Sequence, residues 1–238
     1  MTLIERYTLS QLRNLLVTPS HKDAYVTAFL TSWAYEKFWI ADTLAAVLET
    51  HGVPGEEIAL APDHTFAGSV AAVLDRLVPI RNSVSANLIG SDFIAIHMTV
   101  GLLEERLGQI VYEGIIEIES GGALSDVVGD IVSQKERHLK FYAQEARSRL
   151  AASPVARRLT RLALRRNWLP LSFSAQPAQE TRRVLTDPLS TAGSRAKVIG
   201  FDQELAALPG LVGTRPASRQ LSRLGLASTQ RPRKAGGE

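Results

Sequence analysis

"IVSQKERHLKFY", residues 131–142, is the stretch that decides how this chain folds. With the residues just before it, it sets Leu124, Val128, Ile131, Lys135, His138 and Tyr142 at steps of 4, 3, 4, 3 and 4. Only an α-helix brings such a series onto one side. Four members of the series are apolar or aromatic, so this side faces a core. Lys135 and His138 go with it, and Glu136 and Arg137 point elsewhere. A lysine is costly to bury without a partner, so the stripe raises the question of what Lys135 meets.

The same period extends through the chain. Residues 22–51, "KDAYVTAFLTSWAYEKFWIADTLAAVLETH", predict a first long helix with a stripe of Val26, Leu30, Trp33, Lys37, Ile40 and Leu44, stopped by Gly52 and Pro54. Residues 66–88 predict a second, interrupted near Pro79. Residues 91–119 predict a third, with Met98, Leu102, Glu105, Gly108 and Tyr112 on one face. Residues 123–151 predict a fourth, ended by Ser153–Pro154. No segment alternates as a strand does. The expected fold is all-α, an antiparallel four-helix bundle with a C-terminal helical extension.

Composition divides the chain. Residues 147–238 hold 17 Lys+Arg against 5 Asp+Glu, and residues 1–146 hold 10 against 19. An acidic body, 1–152, is thus followed by a basic extension, 153–213, expected to pack on it. Residues 214–238, rich in Arg, Ser, Gly and Pro, are expected to be largely disordered. Within "PVARRLTRLALRRNWLP", 154–170, Val155, Leu159, Leu162 and Ala163 form an apolar side. Arg157, Arg158, Arg161 and Arg165 form the opposite side, a candidate contact for an anionic surface. Few aromatics interleave with these arginines, which disfavours nucleic acid. Shorter helices are expected from 177 or 178 and over 201–208. There is no cysteine, which excludes disulfides, thiolate metal sites and cysteine nucleophiles. No stretch has the length and apolarity of a membrane-spanning helix, and the N-terminus does not read as a signal peptide, so a cytoplasmic location is expected.

Lys37, Glu105 and Lys135 lie on inner stripes of three helices, with His138 one turn beyond Lys135. Either the lysines lie at stripe edges and snorkel to water, or they meet Glu105 in a buried cluster. One carboxylate does not pair fully with two ammonium groups. A cluster then needs another acid, with Glu36, Asp42 and Glu104 as candidates, or a neutral lysine. The other histidines have simpler readings: His21, His51 and His64 at helix ends or in loops, and His97 in the core. The aromatics Trp33, Phe38, Trp39, Tyr112, Phe141 and Tyr142 are expected in the bundle core.

Over roughly residues 22–150 the chain resembles ferritin-like helical bundles, the group that includes rubrerythrins, acyl-carrier-protein desaturases and related bacterial oxidases. "KERHLKFY" is similar to the last-helix segment Glu-x-x-His-Leu-x-Phe-Tyr of that family. "WAYEKFWIADTLAAVL" resembles its first metal-bearing helix, and "AIHMTVGLLEERLGQIVYEGI" the helix carrying a lone glutamate. "RRNWLP" and "LPGLVG" resemble pieces shared by a bacterial subgroup. The resemblance implies two metals held by a Glu-x-x-His pair on each of two helices and by single glutamates from the others. Carried over position by position, that site is damaged. His138 keeps the histidine, but Lys135 stands where its glutamate belongs. The first-helix pair falls on Lys37 and Ile40, with Glu36 a ligand only if that helix is shifted by one. Glu105 matches the lone glutamate. The second helix offers only Asp75. Only Glu105 and His138 remain as metal ligands.

The resemblance with its lost ligands implies a degenerate di-metal site and a non-catalytic binding or scaffold role, with no cofactor expected. Two other readings stay open: a di-iron oxidoreductase with an altered ligand set, using iron or manganese, and an anionic membrane-surface or nucleic-acid binder working through the basic region. A homodimer is a possible assembly.

Overall fold

The computed structural model describes residues 1–6, 18–52, 89–119, 121–166, 178–223 and 225–226. The described chain is helical throughout, with no strand among these residues. It comprises α1 (Thr2–Arg6), a 3-10 turn (Pro19–Lys22), α2 (Ala24–Thr50), α3 (Asp92–Glu119), α4 (Ala123–Ala152), α5 (Pro154–Arg166), α6 (Ala178–Ser190), α7 (Ala192–Ala206) and α8 (Pro216–Arg223). The expected second helix, 66–88, and with it Asp75 and His64, lies outside the described residues.

Side-chain pairing sets the direction of the long helices. Between α2 and α4, Asp23 meets Arg149, Phe29 stacks on Phe141 and Glu36 meets Gln134. Numbers rise on one helix as they fall on the other, so the two run antiparallel. Between α3 and α4, Gly101 abuts Tyr142, Glu105 meets Lys135 and Gln109 meets the Val132 carbonyl, again antiparallel. Between α2 and α3 the order is shared: Ser20, just before α2, meets His97, and Trp33 meets Glu105. These two helices therefore run parallel.

α3 is the centre of the molecule. All eight residues from Phe93 to Val100 are buried, because α4, α5, α6 and α7 all pack around this helix. A helix covered on every side reads as apolar all round. Two close approaches depend on glycine. A Cβ on Gly101 would enter the Tyr142 ring, and one on Gly114 would enter the Pro188 carbonyl of α6. Asp23 caps α2, accepting from Tyr25 N and Val26 N at 3.1 Å, while its other oxygen holds Arg149 at 2.6 Å.

Three expectations are corrected. Residues 214–223 are not disordered: α8 spans Pro216–Arg223 with Ala217 fully buried. Buried Asp202 fixes its start by accepting from Ala217 N at 2.8 Å and Ser218 N at 3.0 Å. α7 begins at Ala192, well before the expected 201, capped by Thr191 Oγ1 on Ser194 N at 3.0 Å. Phe38 and Trp39 are not core residues. They are about half exposed on the outer side of α2, where the stripe through Lys37 and Ile40 turns them away from α3 and α4.

Candidate functional site: a buried ring of four charges

Two apolar clusters occupy the interior. The larger includes Leu30, Trp33, Met98, Leu103, Tyr142 and Ala146, and the smaller is Ile40, Leu44, Tyr112, Val128 and Ile131. Between them lie four charged side chains, one from each of α1, α2, α3 and α4: Glu5, Lys37, Glu105 and Lys135. Each is buried to within 5% of complete, and Lys135 is wholly buried.

The four form a closed alternating ring. Lys135 Nζ lies 2.9 Å from Glu105 Oε2 and 3.3 Å from Glu5 Oε1. Lys37 Nζ lies 3.1 Å from Glu105 Oε1 and also contacts Glu5 Oε2. Each ammonium thus touches both carboxylates, and the charges sum to zero. Two donors close the ring from outside, Trp33 Nε1 to Glu105 Oε1 and Tyr112 Oη to Glu5 Oε1, both at 2.9 Å. The same two rings lie near the cations, Trp33 at 5.8 Å from Lys37 Nζ and Tyr112 at 5.6 Å from Lys135 Nζ.

Electrostatics keep Glu5, Glu105 and Lys37 ionised. Burial by itself would raise both carboxyls, but Lys135 and Lys37 outweigh it, leaving Glu5 lowered and Glu105 well below the usual range. Burial would lower Lys37, but Glu105 and Glu5 outweigh it and raise it. Burial and the neighbouring Glu5 carboxylate push the Tyr112 phenol well up, so it remains a donor. The neutral-lysine alternative is corrected for Lys37. The snorkelling alternative is corrected for both lysines, because neither reaches water.

The second acid is Glu5, not Glu36, Asp42 or Glu104. Glu36 is half-buried and turned to α4, where it receives Gln134 Nε2 at 3.0 Å, Arg137 Nη2 at 3.3 Å and His138 Nε2 at 2.8 Å. Asp42 is exposed. Glu104 is half-buried and acts on Lys37 only through its field. His138 is buried between the ring and Glu36, its Nδ1 3.5 Å from Glu105 Oε2. Sequence periodicity missed Glu5 because α1 is five residues long, too short to display a helical stripe. The available signal was charge counting, since two inner lysines and one inner glutamate require a further acid.

Among the described residues, the donor set at the ring does not fit a dinuclear metal centre. The ring carboxylates direct their oxygens at ammonium groups, and two positive nitrogens stand between them. Divalent cations would meet Coulomb repulsion there as well as missing ligands. Among the described residues, no group of three or more His, Asp or Glu is arranged to hold a metal ion. No family model, curated protein or solved structure matches the chain.

Outside the ring, Ser20 Oγ lies 2.9 Å from His97 Nδ1, with both residues buried. Burial pushes the His97 imidazole down to about 3. No helix among the described residues is long and apolar enough to cross a membrane.

Proposed function

We propose that this chain is a ferritin-like bundle whose two-metal site has been replaced by a ring of ion pairs, and that it works by binding or scaffolding without metal-dependent redox chemistry. The observation that carries this reading is the closure of the ring. Lys37 and Lys135 occupy the positions where the resemblance calls for glutamates, and each touches both remaining acids.

The ring would then specify structure. Desolvating four charges costs several kcal/mol per ion, which mutual attraction offsets only in good geometry. Little net stability results, but any mispairing of α1, α2, α3 and α4 strands a buried charge.

Metal content tests the reading. The protein is purified after expression with added iron and manganese, and bound metal per chain is measured by elemental analysis beside a Lys37→Glu/Lys135→Glu variant. Wild type far below one metal per chain is expected, with gain in the variant if it folds. One to two metals per wild-type chain would overturn the reading and favour the di-iron oxidoreductase alternative.

A further inference from the structure

The C-terminal helices carry a surface independent of the buried ring. α5 was expected to bury Val155 and Leu162 and to display Arg157. The arrangement is otherwise. Arg157 turns inward and donates to the Leu150 and Ala151 carbonyls, at 3.1 and 3.2 Å, closing the C-terminus of α4. Ala156, Thr160, Ala163 and Leu164 are the buried side. Val155 and Leu162 are 51% and 39% exposed, in a stripe with the exposed Arg158 and Arg165 at steps of 3, 4 and 3.

α8 extends this surface. Gly210, in the turn before it, packs against the Arg157 side chain, and Arg223 at its end donates to the Arg165 carbonyl at 3.2 Å. The turn thus lies beside Arg157 near the start of α5, and the end of α8 lies beside its last turn. Arg215, just before α8, and Arg219 and Arg223 on it are exposed at spacings of four. The turn adds Val212, 72% exposed. Among the described residues, none of these arginines or of Arg158 and Arg165 has an ion-pair partner. Asp202, the nearby buried acid, is committed to the α8 N-terminus.

We propose that this face docks on an anionic lipid bilayer surface. Unneutralised arginines call for a negative partner. The aliphatic side chains between them decide which one. Val155, Leu162 and Val212 gain nothing beside a sugar-phosphate backbone, but they can enter the headgroup and acyl boundary while the arginines meet lipid phosphates. The two helices and the turn carry no aromatic side chain on which bases could stack.

The test is co-sedimentation of the full chain with vesicles of phosphatidylcholine alone or mixed with phosphatidylglycerol, at low and high salt, with duplex DNA titrated separately. Binding only to the anionic vesicles, weakened by salt, is expected. Arg158→Gln/Arg165→Gln should weaken it about thirtyfold, at ~1 kcal/mol per arginine. Val155→Ser/Leu162→Ser, which leaves the charge unchanged, should weaken it severalfold. Both pairs are exposed, and melting curves check that the variants stay folded. Failure to bind anionic vesicles would overturn the proposal, as would binding unchanged by either variant. Retained vesicle binding in the serine variant together with equal affinity for DNA would assign the face to polyanions in general and overturn it as well.

Discussion

Lys135 is wholly buried against two carboxylates, so the value of each ring member depends on the other three. Removing one charge leaves another without a partner. Glu5→Gln or Lys135→Met alone should cost about 3–5 kcal/mol in urea unfolding. Joined in one chain, the two changes remove one charge of each sign and should cost clearly less than their sum. Additive costs would show that the ring is not a coupled unit. His97 sets a second dependence. Its folded value of about 3 lies below its ordinary 6.5, so the unfolded chain binds the proton first as pH falls. Stability from this residue is complete above 6.5 and is lost downward, by about 2–3 kcal/mol at pH 4.5. Glu5 and Glu105 are also lowered, and they add a further loss below their ordinary 4.5. Lys37 is raised, so its contribution holds below 10.5 and disappears only at more alkaline pH. The Met1 amine is lowered from 8.0 by burial and begins the loss there, so urea midpoints should be flat from about pH 8 to 10 and fall on acidification. A His97→Gln variant should lack the part of that fall between pH 6.5 and 4.5.

At the scale of elements, α3 shows how packing places glycine. Gly114 lets the backbone of α6 approach at Pro188, and a methyl group there would overlap a carbonyl that has no rotamer to escape through. Gly114→Ala should cost about 1–3 kcal/mol and raise amide exchange in α6 before α4. Gly129, in α4, has open space where its Cβ would stand. Gly129→Ala should instead stabilise by about 0.5–1 kcal/mol, since helix propensity is all that changes. A thermal melt of the two variants separates close approach from mere helix-breaking.

For the whole molecule, the ring joins segments 30 to 130 positions apart, and its charge content should be replaceable as a set. A variant with Glu5→Gln, Glu105→Gln, Lys37→Met and Lys135→Met keeps carbonyl acceptors for Trp33 and Tyr112 and strands no charge. Its stability at pH 7 should lie within about 2 kcal/mol of wild type, well short of the sum of the single losses. Its acid sensitivity below pH 4.5 should be reduced. A loss equal to that sum would mean that the ring contributes stability in its own right.

The all-α character, the positions of α2, α3 and α4 to within two residues, and the inward facing of Lys37, Glu105, Lys135 and His138 were legible in the sequence. Each depends on a 3.6-residue period, which the chain displays locally. Periodicity says which side of a helix is apolar, not which neighbour covers it. The tertiary structure alone decided that Glu5 closes the ring, because a five-residue helix has no period and acts only through distant partners. It decided likewise that Glu36 belongs to His138. It also decided that α5 buries Ala156, Thr160, Ala163 and Leu164 while Val155 and Leu162 face outward. Small side chains let α5 lie close against α3, and that contact sets the rotation of the helix against the pull of its bulkier residues.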